Sequence, residues 1–348
     1  MRTALPGTFR LHAPFLFPLS APRSSSCRPR SMRPAHRAVL RSSTGLCRHA
    51  RVNPRAPLPS SILEKTPNMP IDFNRQIIEE FRANGGRVGG PFEGGRLLLL
   101  TTAGARSGAP HTTPLGYLPD GGGRVLVIAS AAGAPKHPAW FHNLVAHPRV
   151  TVEAGIFTYE AQAIVLEGAE RDRAFARAAE TDPGWSEYQA KTDRILPVVA
   201  LEEIPAGPPN IRADSPGAAL KAVHDGFRRE LALIRKEMAE SGPGLGVQLR
   251  VNCLALCQGL HNHHTGEDAG MFPMLGRHHP ELAPALERMQ QEHKKLAVLL
   301  DALQQAISAE GADPRSVLSE VERLTEEVER HLAYEEEQLI PVFDGSAC

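Results

Sequence analysis

"HNHHTGEDAGMFP", residues 261–273, sets three histidines and two acids within eight residues. They are either a solvated polar turn or metal ligands, and partners elsewhere in the chain must decide which. "HLAYEEEQLIP", residues 331–341, supplies the first partner. Both stretches fit H-x3-E-x5-P, so that His263, Glu267 and Pro273 correspond to His331, Glu335 and Pro341. Positions i and i+4 share one face of a helix, so each motif aims one imidazole and one carboxylate to the same side. His224 and His293 precede His263 and His331 by 39 and 38 residues. The region reads as two helix pairs, each contributing a histidine and then an HxxxE.

Working outward, strand signals vanish after residue 217. Four helical segments follow, near 217–241, 246–270, 280–309 and 314–340, separated by short breaks such as "GRHHPEL" and "ISAEGADP". Short connections between four helices predict an all-α up-down bundle. Its interior can gather His224, His263, Glu267, His293, His331 and Glu335. Imidazoles mixed with bridging carboxylates suit two non-haem iron or manganese ions. A zinc site would more often be one tetrahedral set, usually with Cys. His264 lies about 100° round the helix from His263. It and His261 are expected to be solvated or to sit outside the ligand set. Cys253 and Cys257 are expected to pack as small core hydrophobes.

Over about residues 215–343 the chain resembles the hemerythrin-like (HHE) cation-binding domains, whose HxxxE motifs are followed by "MFP" and "LIP" as here. The resemblance implies a di-iron site that binds or reacts with oxygen or nitric oxide. One turn after His293, where the animal oxygen carriers have a second histidine, this chain has Ala297. That implies the six-ligand form of the site.

Upstream, from about 95 to 205, strand signals dominate: "GRLLLLTTAG", "RVLVIAS", "RVTVEAG", "TYEAQAIVLEG" and "ILPVVALEEI". Helical patterns interrupt them at "HPAWFHNLVAHP" and "ERDRAFARAAETD", so an α+β barrel or sheet is expected. "TTAGARSGAPHTTPLGYL", residues 101–118, reads as a polar, Gly-relieved turn whose Arg106, Ser107, Thr112 and Thr113 could bind anionic oxygens. It matches neither GxxxxGK[ST] nor GxGxxG. Lys136, just ahead of the aromatic helix, is placed for an anion, and Trp140 and Phe141 offer flat surfaces or core.

"GxRSGxP", "SxxGAPKHPAWxxN" and "TDRxxPV", in that order, resemble the deazaflavin-dependent nitroreductases, which use reduced coenzyme F-420. The likeness covers roughly residues 75–204. It implies an α+β split β-barrel of the flavin-reductase type, and hydride transfer from the reduced deazaflavin to a quinone or nitro acceptor. Ala105, Arg106 and Ser107, with His111, Thr112, Thr113, Pro114, Leu115 and Gly116, would line the phosphate and tail side. Ile128, Ala129, Ser130 and Ala131, and Ala139, Trp140, Phe141, His142 and Asn143, would flank the cofactor, with Lys136 as an anion contact. Trp185 and Tyr188 stand where family tyrosines wall the substrate pocket, and are the catalytic candidates.

The expected organisation is a leader over 1–68, a reductase barrel over 69–204, a Pro/Gly-rich linker over 205–217 and the bundle over 218–343. The leader holds eleven Arg and one Lys against Glu64 alone, a local charge of +11, which leaves −11 for the remainder of a neutral chain. It is expected to be disordered or to precede a true start at Met69. The zero total points to no nucleic-acid partner. Five cysteines without a CxxC or disulfide pattern suit a reduced, cytoplasmic compartment. No apolar run approaches the ~20 residues of a membrane span, although a quinone substrate would bring the protein to a membrane surface. The competing reading is an oxygen, nitric oxide or iron sensor, or a plain iron-binding protein, whose barrel only holds cofactor.

Overall fold

The computed structural model describes residues 70–204, 210–242 and 244–345. The expectations for residues 1–68, for a start at Met69 and for linker positions 205–209 lie outside the described residues.

Helix α1 (Pro70–Ala83) leads into a curled antiparallel sheet. Its strands are β1 (Leu97–Ala103), β2 (Pro110–Gly116), β3 (Leu118–Gly121), β4 (Arg124–Ile128), β5 (Arg149–Ala154), β6 (Phe157–Val165) and β7 (Val198–Glu203). Their spatial order is β2-β1-β5-β6-β7-β4-β3. Leu98 and Leu100 of β1 face the barrel interior with Val127, Val152, Ala161 and Leu201. Leu97 and Leu99 point the other way, onto Ile77 and Phe81 of α1. Strand alternation is what lets one Leu-rich run serve two cores. The β3–β4 hairpin turns on Gly121, Gly122 and Gly123, all at positive φ, a conformation glycine adopts without steric cost. Helices α2 (Ala139–Ala146), α3 (Gly168–Thr181) and α4 (Gly184–Ala190) complete this half.

The polar string at 101–118 differs from the expected turn. Only Gly104–Ala109 turns; Pro110–Gly116 is strand β2, paired with β1 from Ala103↔Pro110 to Leu97↔Gly116. Two hydroxyls, two prolines and a histidine hid its alternation. Alternation also separates Thr112 from Thr113. Thr113 lies opposite Leu100 on the inner face, whereas Thr112 lies opposite Thr101 and its hydroxyl bonds that of Thr101 at 2.8 Å. The two threonines therefore cannot contact one ligand together.

Strand β8 (Asn210–Ile211) adds to β6, and the helical half follows. Its helices are α5 (Pro216–Glu240), α6 (Val247–Gly266), α7 (Phe272–His278), α8 (Ala283–Ser308) and α9 (Pro314–Phe343). Helix α6 runs on into α7 through one π turn, Glu267–Met271. Pro273, which has no N–H to donate, falls just beyond that turn. Ser215 caps α5, accepting from Ala218 N at 3.0 Å, and Asp313 caps α9 ahead of Pro314.

Barrel and bundle belong to one compact unit. Ile156, Phe157 and Ile211 of the sheet join the bundle core around Phe227, Leu231 and Ile234. Arg96, just before β1, reaches Glu230 and Glu237 of α5. Glu237 accepts from Asn252, Asn252 accepts from Gln248, and Gln248 donates to the Pro119 carbonyl at 2.7 Å, which covers the sheet edge at β3. Among the described residues no helix is long and apolar enough to cross a membrane.

Candidate metal centre and cofactor site

The bundle interior is layered. Phe227, Leu260, Leu296 and Leu332 belong to an apolar cluster on one side. Leu220, Met271, Met289 and Leu339 form another on the other side. Between them lie His224 on α5, His263 and His264 on α6, Glu267 on the π turn, His293 on α8, and His331 and Glu335 on α9. All are buried, Glu335 completely.

These donors form two adjacent groups. His224, His263, Glu267 and Glu335 make one, and His264, His293 and His331 the other, with the ligand atoms of each group within 4.8 Å of one another. The carboxylates join them. Glu267 places Oε1 3.2 Å from His263 Nε2 and Oε2 3.6 Å from His293 Nε2. Glu335 Oε2 lies 3.5 Å from His224 Nε2 and 3.6 Å from His331 Nε2. Each carboxylate thus touches one histidine of each group. Two donors about 2.1 Å from a shared ion stand roughly 3 Å apart, so the spacing suits metal binding.

Outer carboxylates orient three of the rings. His224 Nδ1 pairs with Glu336 at 2.9 Å, His293 Nδ1 with Asp268 at 2.9 Å, and His331 Nδ1 with Glu292 at 3.0 Å. A proton held on Nδ1 leaves the Nε2 lone pair directed at the centre. Burial, then the neighbouring imidazoles, push His263 and His264 well below the ordinary histidine range. Burial, then Glu335, pushes Glu267 well above the carboxylate range. Nε2 of His224 and of His264, and both oxygens of Glu267 and of Glu335, have no hydrogen-bond partner. Leaving so many buried polar atoms unpaired costs several kcal/mol. Cations supply what these atoms lack, and the mixed imidazole and carboxylate donors fit metal binding.

All six residues named from the sequence as ligand candidates converge here. His264 was expected to be solvated or to sit outside the ligand set; it is not solvated, being buried and stacked on His293 at a centroid distance of 4.4 Å. His261 is exposed, as expected. Cys253 and Cys257 are free and buried, and burial drives both thiols up, Cys257 to about 12.

In the barrel, the structure sorts the cofactor candidates. Ala105, Arg106, Ser107 and His111 are exposed around the Gly104 turn, as is Lys136. A Cβ on Gly104 would lie 2.5 Å from Ser107 Oγ and 3.0 Å from His111 Nε2, so a side chain there would push these two exposed groups aside. Neither Arg106 nor Lys136 forms an ion pair with a described residue, which leaves both cations available to an anionic tail. Pro114 is half-buried and Gly116 exposed, while Leu115 packs against the barrel core. Ile128, Ala129 and Trp140 are buried, so their side chains serve the cores and only their backbone can border a ligand. Asn143 is a structural tie: it accepts from Ala105 N at 3.0 Å and donates to Thr102 Oγ1 at 3.1 Å, joining the cradle to α2. Ala139 opens α2; Phe141 packs against His137 with tilted rings 4.9 Å apart, and His142 is exposed.

Ser130, Ala131 and Gly133 form a turn against α4. Ala131 and Ala132 have φ of +48° and +53°, which costs a non-glycine residue about 1–2 kcal/mol each. Trp185 and Tyr188 of α4 are half-buried, edge to face at 6.1 Å. Gly133 lies so close to α4 that a Cβ there would come within 2.7 Å of Tyr188 O. Tyr188 therefore stands beside the 130–134 turn.

Two family models match the chain. One is described as F-420H(2)-dependent quinone reductase, over residues 73–203. The other is Hemerythrin HHE cation binding domain, over residues 215–343. An F-420H(2)-dependent quinone reductase of Mycobacterium tuberculosis (strain H37Rv) is 35% identical over 125 residues, covering 35% of this chain and 83% of that protein. The chain belongs to the F-420H(2)-dependent quinone reductase family. Its members are oxidoreductases, and this one continues into a hemerythrin-like bundle. An F-420H(2)-dependent quinone reductase of Mycobacterium tuberculosis (strain CDC 1551) matches equally, at 35% identity, covering 35% of this chain and 83% of that protein. A solved F-420-H2 dependent reductase is 40% identical, covering 31% of this chain and 94% of that one, with a TM-score of 0.29.

Proposed function

We propose that this quinone reductase family member joins two redox sites. The barrel takes reduced coenzyme F-420 and passes its hydride to a quinone or nitro acceptor. The bundle holds two iron ions that bind or react with oxygen or nitric oxide. The seven buried donors, split between two groups and joined by Glu267 and Glu335, carry the metal assignment. His224, His263 and the two glutamates would hold one ion. His264, His293 and His331, with the same two glutamates, would hold the other. Mixed imidazole and carboxylate donors favour iron over zinc or magnesium. When bound, the deazaflavin supplies the hydride and the irons supply electrons and Lewis acidity.

The chain's own residues bind and orient. Arg106, Lys136 and Thr113 would hold the anionic tail, Ser130 the ring edge, and Trp185 and Tyr188 the acceptor side. Free, buried thiols suit a reduced cytoplasmic setting. The test is steady-state oxidation of reduced deazaflavin by a soluble quinone, with optical spectra of the iron-loaded protein under oxygen and nitric oxide. Turnover that needs both deazaflavin and quinone supports the reading. No turnover with any quinone or nitroaromatic returns the protein to the sensor class.

A further inference from the structure

The turn after β4 sets three successive residues in the left-handed region: Ala131, Ala132 and Gly133, at φ of +48°, +53° and +81°. Only the last is a glycine. Its local bonds, Gly133 N to Ser130 O and Ala134 N to Ala131 O, both 3.0 Å, are those of an ordinary tight turn and do not by themselves select this conformation.

Arg194, from the "TDRxxPV" stretch, does more. Its Nε donates to Ala134 O at 2.8 Å, Nη1 to Ala129 O at 3.0 Å, and Nη2 to Ser130 O. Nη1 also meets His137 Nδ1 at 3.0 Å. One planar fork therefore gathers four acceptors spread over residues 129–137, which a lysine cannot do. No described carboxylate pairs with Arg194, so its charge is spent on these carbonyls and the ring. On the opposite side α4 closes on Gly133.

We propose that Arg194 is the positioning residue of the reductase site. It holds residues 129–137 in the left-handed turn and thereby sets where Ser130 and Lys136 stand before cofactor binds. The proposal rests on the reading that this segment borders the deazaflavin, and the test separates the two. Hydrogen exchange of the 130–137 amides and deazaflavin affinity, by fluorescence titration, are measured for Arg194→Ala and Arg194→Lys. Each is made with and without Ala132→Gly.

Arg194→Ala is expected to raise exchange in this segment, and not across the chain, at least tenfold, and to weaken binding about tenfold. Arg194→Lys should recover less than half of either loss. Ala132→Gly, which relieves the strain, should change affinity less than twofold alone but restore binding several-fold in the Arg194→Ala background. If Arg194→Ala does not fold, the lysine variant carries the same comparison. Unchanged segment exchange, or an Ala132→Gly effect that is equal in both backgrounds, overturns the proposal. Faster exchange with unchanged affinity keeps Arg194's hold on the turn and overturns the cofactor reading instead.

Discussion

His264 stacks on His293 across two helices, rings 18° from parallel and 4.4 Å apart. With His264 included, the proposed centre is a set of five histidines and two glutamates. His264→Ala should therefore lose the second ion. Outer partners of metal ligands already cost 10–100-fold in affinity when removed, so a ligand should cost at least about tenfold. Iron per chain, by elemental analysis after dialysis, should fall towards one in His264→Ala and stay at two in His261→Ala. Equal loading of both variants would return His264 to a packing role.

Glu335→Gln should move loaded and metal-free protein in opposite directions. Glu335 is completely buried and both its oxygens lack a hydrogen-bond partner. In the metal-free chain a neutral amide of the same shape adds a donor where neither oxygen has a hydrogen-bond partner, so the melting temperature should hold or rise. In the loaded chain the change removes a bridging charge, so iron content and melting temperature should both fall. A fall in the metal-free melting temperature as large as in the loaded protein would mean that Glu335 acts through packing alone.

The metal-free bundle should weaken in acid. His263, His264 and His331 are held below their ordinary value, chiefly by burial. The unfolded chain then binds more protons than the folded one below about pH 6.5, and stability falls as pH drops, by about 1.4 kcal/mol per unit for each group. Glu267 is raised, so it opposes this trend above about pH 4.5. Glu203 of β7, pushed up to about 7 by burial, opposes it too, and three histidines outweigh two glutamates. Urea midpoints of chelator-treated protein should decrease from pH 7 to pH 5, less steeply in His264→Ala. A flat profile would contradict the assigned burial.

Much of this was legible early, and the misses have physical causes. The HxxxE repeat, with its near-equal spacings, picked out six of the seven residues that the bundle interior brings together, because helical periodicity converts spacing into a shared face. It could not name His264, since adjacent helical residues diverge by about 100°, and only the packing of four helices shows that both directions point inward. Strand β2 was hidden because Pro110, His111 and two threonines carry no apolar alternation. Its pairing with the Leu-rich β1 is a tertiary fact. Arg96 was invisible for a related reason: its partners, Glu230 and Glu237, lie more than 130 residues away.

Arg96 joins the halves. Burial works against its charge, and the two carboxylates more than restore it. Arg96→Ala leaves both without that cation, which typically costs about 3–5 kcal/mol for a buried pair. Calorimetry should show one main transition for the native chain and, in the variant, a lower one that separates barrel from bundle. A single transition at the native temperature would show that the apolar contacts around Ile156 and Phe227 suffice.

Lys136→Glu should weaken deazaflavin binding by about 1.5–3 kcal/mol, the value of a charge-assisted hydrogen bond. Thr113→Ala should weaken it more than Thr112→Ala, whose hydroxyl is already bonded to Thr101. Fluorescence titration of all three decides. Equal effects of the two threonine variants would contradict the facing assigned from β2.

Native mass spectrometry of the intact protein, purified without oxygen and incubated with iron, coenzyme F-420 and flavin mononucleotide, tests the account most directly. The predicted species carries two iron ions and one deazaflavin per chain. A chain that binds a single ion, or that takes flavin mononucleotide in preference to the deazaflavin, would contradict it.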